Sequence, residues 1–222
     1  MDTAYRYLAA LTLLTLAACS PGYPRPLLWA GYQPPTEASL YPAIAAPPCP
    51  RVGLQNLSAA EAAVAKSAID DLCRVIASPA FAAEIQGRDW LATCGKDRSG
   101  NRDVIAGEDV YRLYTTGIAP FSLRFRKPVN AVASTQIFQE RIAIRKRRLA
   151  DWSSGDPARM GETINTLAHE MTHMVWNDAR DGFRFQDQGH QGDTCPDTDI
   201  LLVSYGLGNA AERVWKASLI IN

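Results

Sequence analysis

The sequence predicts an α+β fold that has N-terminal helices, a small and mostly antiparallel sheet, a helix with an H-E-x-x-H motif and a C-terminal helix. Helix start signals, followed by apolar residues at helical spacing, occur in residues 58–91 and again after residue 155. Short segments typical of strands lie between these two regions. A chain of 222 residues is also long enough for one domain with a buried core.

Two N-terminal helices are predicted from their first residues. Ser58, with Glu61 three positions later, forms a capping box before an alanine-rich segment. Ser78 and Pro79 are an N-cap and a first-turn proline, and they open a second helix that we expect to run to about Leu91. Both helices come before the strand-rich middle of the chain.

The middle of the chain predicts three strands, over Asp109–Thr115, Phe121–Arg126 and Gln136–Ile144. In the second of these, Phe and Leu residues alternate with Ser and Arg residues, which indicates one buried face. The basic cluster 145–148 follows the third strand, and we interpret it as a solvated strand end. A patch for anionic substrates or lipid head groups is the alternative.

A longer helix is predicted from the N-cap and first-turn proline Asp156-Pro157 to about Asn177. It contains His169-Glu170 and His173, which form the H-E-x-x-H motif. Residues four positions apart lie one above the other on a helix, so both imidazoles can reach one metal ion. The apolar residues of this helix fall on roughly the opposite side, and they are Ile164, Leu167, Met171 and Val175.

Zinc suits this motif, because neutral imidazole is one of its usual ligands and a catalytic zinc site keeps one position open for water. The ion lowers the pKa of that water towards ~7, and Glu170 can accept the proton as the water attacks a carbonyl. A catalytic zinc normally has a third protein ligand. All three histidines lie between residues 169 and 190, so His190 is the leading candidate.

The beginning of the chain predicts a targeting signal. Residues 8–18 form an apolar run that is too short to span a bilayer and has the length of a signal-peptide core. The run ends in Leu16-Ala17-Ala18-Cys19, which closely resembles the lipobox of bacterial lipoproteins. The resemblance implies cleavage before Cys19 and lipid on that cysteine. An ordinary secretory peptide without lipid is the alternative.

The chain is therefore divided into a signal peptide at 1–18, a proline-rich linker at 19–50 and a folded domain at 51–222. The lipoprotein resemblance implies a protein anchored in the cell envelope. Ser20, rather than Asp, follows Cys19, and by the sorting pattern of bacterial lipoproteins the resemblance implies the outer membrane.

The remaining four cysteines predict two disulfides, because an even number of cysteines in an oxidising compartment is typical of a disulfide framework. Three connectivities are possible. We favour a pair between Cys73 and Cys94 and a second between Cys49 and Cys195. Free buried cysteines are the alternative.

The H-E-x-x-H helix resembles that of the zincin metallopeptidases. The resemblance implies a zincin-like fold, a zinc ion, and a cleft between the metal helix and a sheet edge, where peptide adds as a strand. In the SprT-type branch a D-x-G-H turn supplies the third histidine. Asp187-Gln188-Gly189-His190, with His190 seventeen residues after His173, is similar. The glycine that follows this His in the family is Gln191 here.

A second zincin branch, the aspzincins (deuterolysin and peptidyl-Lys endopeptidases), resembles a later segment. Its third ligand is an Asp in G-T-x-D-x-x-Y-G, and here Asp197-Thr198-Asp199 precedes Tyr205-Gly206. This branch implies that Asp199 or Asp197 binds the metal and that Tyr205 stabilises the oxyanion. The G-T pair is missing, and five residues rather than two separate Asp199 from Tyr205.

Two further acidic residues are possible ligands, namely Asp193 and Glu212. Glu212 would be the ligand in a gluzincin arrangement. It is more simply a capping-box carboxylate of a closing helix that begins near Asn209.

These observations predict a zinc-dependent peptidase of the cell envelope, with His169, His173 and His190 as metal ligands, Glu170 as general base and Tyr205 as a candidate for oxyanion support. The implied partners are a peptide or protein substrate and the membrane, through the lipid anchor. The 23 basic and 23 acidic side chains balance, which gives no electrostatic case for nucleic acid. The alternative is a non-catalytic envelope lipoprotein, a binding or structural module whose metal site is structural.

Overall fold

The computed structural model of the protein describes residues 50–96, 102–125, 133–136, 140–177, 182–183, 185, 187 and 201–220. The predicted signal peptide, Cys19 and the linker up to residue 49 lie outside these ranges. Among the helices that are described, none is long and apolar enough to cross a membrane.

Helices and strands alternate irregularly along the described residues, and the α+β class predicted from the sequence is confirmed. In chain order the elements are β1 (Val52–Gln55), α1 (Ala59–Ile76), α2 (Pro79–Gln86), β2 (Trp90–Lys96), β3 (Arg102–Ile105), α3 (Gly107–Thr116), β4 (Phe121–Phe125), β5 (Ala133–Gln136), β6 (Arg141–Ile144), α4 (Lys146–Ser153), α5 (Pro157–Thr172), β7 (Trp176–Asn177), β8 (Gly182–Phe183) and α6 (Val203–Ser218).

The largest sheet is mixed, so the prediction of a mostly antiparallel sheet is wrong for it. Its strand order is β1-β4-β6-β5, with β1 and β6 both parallel to β4 and only β5 antiparallel to its neighbour β6. Helices and a separate hairpin connect β1 to β4, and a connection of this length permits parallel pairing. Strand β5 is therefore an antiparallel edge strand. The other two sheets are the antiparallel pairs β2-β3 and β7-β8.

The start signals of the first two helices are confirmed by their hydrogen bonds. The backbone N–H of Glu61 donates to the Ser58 hydroxyl, and the Glu61 carboxylate accepts from the Ser58 backbone. The Ser78 hydroxyl caps α2 by accepting from the backbone N–H of Phe81 at 3.2 Å. The predicted end of α2 near Leu91 is wrong, because α2 ends at Gln86 and residues 90–96 form strand β2.

The prediction of a strand over Asp109–Thr115 is also wrong, because these residues lie in helix α3. Val110, Tyr111 and Tyr114 recur at helical spacing and form its buried face. Tyr114 lies completely buried against α5, where its hydroxyl donates to the Ala168 carbonyl at 3.1 Å.

The two remaining strand predictions have different outcomes. Strand β4 covers the described part of the predicted segment Phe121–Arg126 and confirms it. The segment Gln136–Ile144 contains the end of one strand and the whole of the next, and Glu140 has a positive φ of 47° between them. The basic cluster 145–148 is not a strand end, because α4 begins at Lys146.

Helix α5 lies in the middle of the domain and packs against α6, α4, α1 and the edge strand β5. The apolar stripe predicted for it is buried. Helix α6 begins at Val203, before the predicted start at Asn209, and it lies close to β2 because Gly206 has no side chain. A Cβ atom built on Gly206 would lie 1.9 Å from the ring of Trp90.

We predict that Gly206→Ala destabilises the domain by about 1–3 kcal/mol, because the added methyl group overpacks the contact between α6 and β2. The measurement is the free energy of urea unfolding, followed by tryptophan fluorescence. Gly53→Ala is the matched control, since its Cβ would meet its nearest neighbour, the Ser122 hydroxyl, at an ordinary 3.5 Å. Equal stability of the two variants would contradict the predicted packing.

Candidate metal centre

The two histidines of the H-E-x-x-H motif lie at the C-terminal end of α5, with their rings in contact. Asp156 caps the helix start by accepting from the Ala158 backbone at 2.9 Å, as predicted. The helix ends at Thr172, before the predicted Asn177, but His173 keeps helical dihedrals of −71° and −11°. The ring of His169 therefore meets that of His173 edge-on at 5.0 Å, and their Nε2 atoms are 3.3 Å apart.

Asp187 brings a carboxylate to the same point. After α5 the chain forms the short antiparallel pair β7-β8, which returns it towards the helix end. Phe185 then enters the core, and Asp187 follows it. Its Oδ2 atom lies 3.0 Å from Nε2 of His169 and 3.3 Å from Nε2 of His173. Among the residues that the structure describes, these three form the one cluster with metal-ligand geometry.

The three donor atoms fit a tetrahedral metal ion. Nitrogen and oxygen ligands lie about 2.0–2.1 Å from zinc, so two ligands of a tetrahedral ion are roughly 3.3 Å apart. The observed separations of 3.0, 3.3 and 3.3 Å match one triangular face of such a tetrahedron. Two imidazoles, which bind zinc in their neutral form, and a carboxylate also suit the chemistry of zinc. Among the residues that the structure describes, no fourth side chain joins these three donors.

Each donor is oriented by a second contact. The carbonyl of Phe185 lies 3.0 Å from Nδ1 of His173 and accepts its proton, so Nε2 is the nitrogen that faces the other two donors. The hydroxyl of Ser204 donates to Oδ1 of Asp187. The ring of Tyr205 lies 4.8 Å from that of His169, at a tilt of 52°. Ser204 and Tyr205 both belong to the first turn of α6.

Glu170 is buried beside the cluster and bonded to the edge of the sheet. Its side chain is 6% exposed. The hydroxyl of Thr135, on strand β5, donates to the Glu170 carboxylate at 2.6 Å and also lies 3.1 Å from its backbone carbonyl. A carboxylate has two oxygens with several acceptor positions, so the bond from Thr135 leaves capacity for another proton donor.

The charges of the cluster support one another. Burial by itself lowers the pKa of His173, but the hydrogen bond and negative charge of Asp187, with smaller contributions from Glu170 and Phe185, raise it to about 9. Burial has the opposite effect on Asp187 and raises its pKa. The hydrogen bonds and charges of the two histidines outweigh this effect and hold the pKa of Asp187 well below its usual range. The carboxylate is therefore ionised and able to bind a cation.

The structure brings together four of the residues that the sequence singled out: His169, Glu170, His173 and Tyr205. The predicted third ligand, His190, lies outside the described residues, as do Asp193, Asp197 and Asp199. Glu212 is not in the cluster. Its carboxylate accepts hydrogen bonds from Asn165 of α5 at 2.9 Å and from Lys216, one turn further along α6, at 2.6 Å. It is not an N-terminal cap either, since α6 begins at Val203.

Cys73 is disulfide-bonded, which agrees with the predicted use of this cysteine. The side chains of Cys94, Cys49 and Cys195 lie outside the described residues, so the connectivity stays a prediction.

Three residues of the site were missed in the sequence: Asp187, Ser204 and Thr135. Asp187 opens the D-x-G-H motif, whose histidine is the predicted ligand, although carboxylate is also a zinc ligand. Ser204 and Thr135 carry no signal in the sequence, because each reaches the site through tertiary packing.

The chain was also compared with known proteins. No family model matches it, and neither does any curated protein or solved structure.

We predict that the metal-free protein loses stability as the pH rises from about 6.5 to about 9. His173 binds its proton more tightly in the folded state than at its ordinary pKa of 6.5, so its contribution is complete below that pH and is lost as the pH approaches 9. The measurement is the urea unfolding free energy in a chelator across this range. His173→Gln should flatten the decline, and parallel profiles for the two proteins would contradict the assignment.

Proposed function

We propose that this protein is a zinc-dependent peptidase that hydrolyses peptide bonds in the cell envelope. The observation that carries the proposal is a buried Glu170, bonded to Thr135, directly beside a three-donor cluster. A hydrolytic zinc site uses a neighbouring acid–base group, whereas a structural zinc site needs no such carboxylate.

The residues that would hold the ion are His169, His173 and Asp187. When bound there, zinc supplies a Lewis acid that lowers the pKa of a water molecule towards ~7. The fixed orientation of the donors supports this role. The carbonyl of Phe185 keeps the proton of His173 on Nδ1, and Ser204 holds one oxygen of Asp187, so the other oxygen points to the two Nε2 atoms.

Glu170 would move the proton. Its carboxylate takes a proton from water as the water oxygen attacks the peptide carbonyl carbon, and then gives this proton to the amide nitrogen as the C–N bond breaks. Burial excludes competing solvent from the carboxylate, and the hydroxyl of Thr135 fixes its rotamer. Tyr205, in contact with His169, is the candidate that would donate to the developing oxyanion.

Strand β5 is where we expect the peptide to bind. It is an edge strand, its Thr135 reaches Glu170, and α5 packs beside it. An extended peptide can add to such an edge through main-chain hydrogen bonds. This would place its carbonyl groups next to Glu170. The lipid anchor predicted at Cys19 would hold the reaction at the membrane of the envelope.

We predict that Glu170→Gln keeps one zinc per chain and loses about 10²–10⁴-fold in the rate of peptide hydrolysis, because the amide cannot accept a proton. Hydrolysis of casein and of a mixed peptide pool measures the rate, and metal analysis measures the zinc. Glu162→Gln is the matched control, since Glu162 is an exposed residue of the same helix that pairs with Arg148. Equal rates for wild type and Glu170→Gln would reject the mechanism. Zinc without hydrolysis in the wild type would favour a structural module.

We predict that Asp187→Ala loses stoichiometric zinc, because it removes one of the three donors. His190→Ala and Asp199→Ala should retain zinc, since neither is needed to complete that set. Asp70→Ala is the control for loss of a carboxylate, as Asp70 pairs with Lys66 on the exposed face of α1. Zinc retention by Asp187→Ala, together with zinc loss in His190→Ala, would restore the histidine as the third ligand.

A further inference from the structure

We propose that Ser204 is a positioning residue for the metal centre: it holds the Asp187 carboxylate so that Oδ2 is presented to both imidazoles. The proposal rests on the metal site assigned above and adds a residue that binds no metal itself. Its evidence is independent of the motif in α5, because Ser204 belongs to a different helix.

Among the residues described, the hydroxyl of Ser204 donates its hydrogen bond to Asp187. Ser204 is 1% exposed, and its hydroxyl donates to Oδ1 of Asp187. Other hydroxyls in these helices donate to the backbone carbonyl three or four positions earlier, as Ser153 and Ser218 do. Ser204 lies in the first turn of α6, where the carbonyl four positions back precedes the helix. Its proton goes to Asp187 instead.

Asp187 needs such a partner because it lies at a bend rather than in a helix or strand. A carboxylate is a rigid planar group, so a bond that fixes Oδ1 also fixes the direction of Oδ2. With Oδ1 bonded to Ser204, Oδ2 lies 3.0 and 3.3 Å from the two Nε2 atoms. The hydrogen bond thus sets the third donor at the distance that a tetrahedral ion needs.

Helix α6 is in turn clamped against α5, which makes Ser204 a fixed support. Asn165 lies one turn before His169, and its amide donates at 2.9 Å to both Asn209 and Glu212 of α6. Gly208 allows the close approach, since a Cβ there would lie 2.6 Å from the Asn165 amide oxygen. The polar contacts between the two helices therefore fix the position of Ser204 relative to the histidines.

The test is the affinity of the full chain for Zn²⁺, measured by competition with a chromophoric chelator, together with the absorption spectrum of the Co²⁺-loaded protein. We expect Ser204→Ala to weaken zinc binding by about 10–100-fold and to change the Co²⁺ spectrum. Ser204→Thr retains the hydroxyl and should behave like the wild type. Ser218→Ala removes a hydroxyl from the far end of the same helix and should have no effect. Ser204→Gly replaces the alanine variant if that variant does not fold.

Wild-type affinity and an unchanged spectrum in Ser204→Ala would overturn the proposal. Equal weakening by Ser204→Thr would also overturn it, because the loss would then follow side-chain shape rather than the hydrogen bond. A wild-type chain that binds no zinc removes both this proposal and the metal site. If the wild type binds zinc but hydrolyses no peptide, the proposed function fails, while the comparison of the Ser204 variants stays decisive.

Discussion

Two imidazoles at the C-terminal end of α5 and the carboxylate of Asp187 meet within 3.3 Å, and the surrounding elements hold them there. Burying ionisable side chains away from water is unfavourable unless groups of opposite charge lie beside them. Asp187 provides the balance, because its negative charge outweighs the effect of burial on His173 and raises its pKa. The edge strand β5 reaches the neighbouring Glu170 through Thr135, and the first turn of α6 supplies Ser204 and Tyr205. The centre thus depends on contacts from three separate parts of the chain.

Features set by nearest neighbours along the chain could be predicted from the sequence, and features set by distant contacts could not. The caps at Ser58, Ser78 and Asp156 are local hydrogen bonds, and each is found where the sequence indicates it. The parallel order β1-β4-β6 depends on crossovers, and local alternation does not reveal it. In α3 the residues Val110 and Tyr114 fit both periodicities over a short segment, and burial against the core selected the helix.

The residues of the site also differ in whether local sequence or distant contacts determine their positions. The spacing of His169, Glu170 and His173 follows from one helix, so the sequence identifies them together. The third donor depends on how the chain returns through β7 and β8, and no spacing rule determines that path. The supporting hydroxyls of Thr135 and Ser204 are harder still to predict from the sequence, because serine and threonine are common on any surface. The candidate metal centre is therefore visible in the sequence as two of its three donors and the neighbouring Glu170.

The contact between His173 and Asp187 has a topological consequence, because it joins positions fourteen residues apart. A disulfide that joins the ends of a loop of about 15 residues removes roughly 3 kcal/mol of conformational entropy from the unfolded chain. Unlike a disulfide, an ion that both residues hold only in the folded state leaves the unfolded chain unconstrained, and it would stabilise the fold more as the metal concentration rises. Proteolysis of the chain between residues 173 and 187 would then be slower with metal than without it.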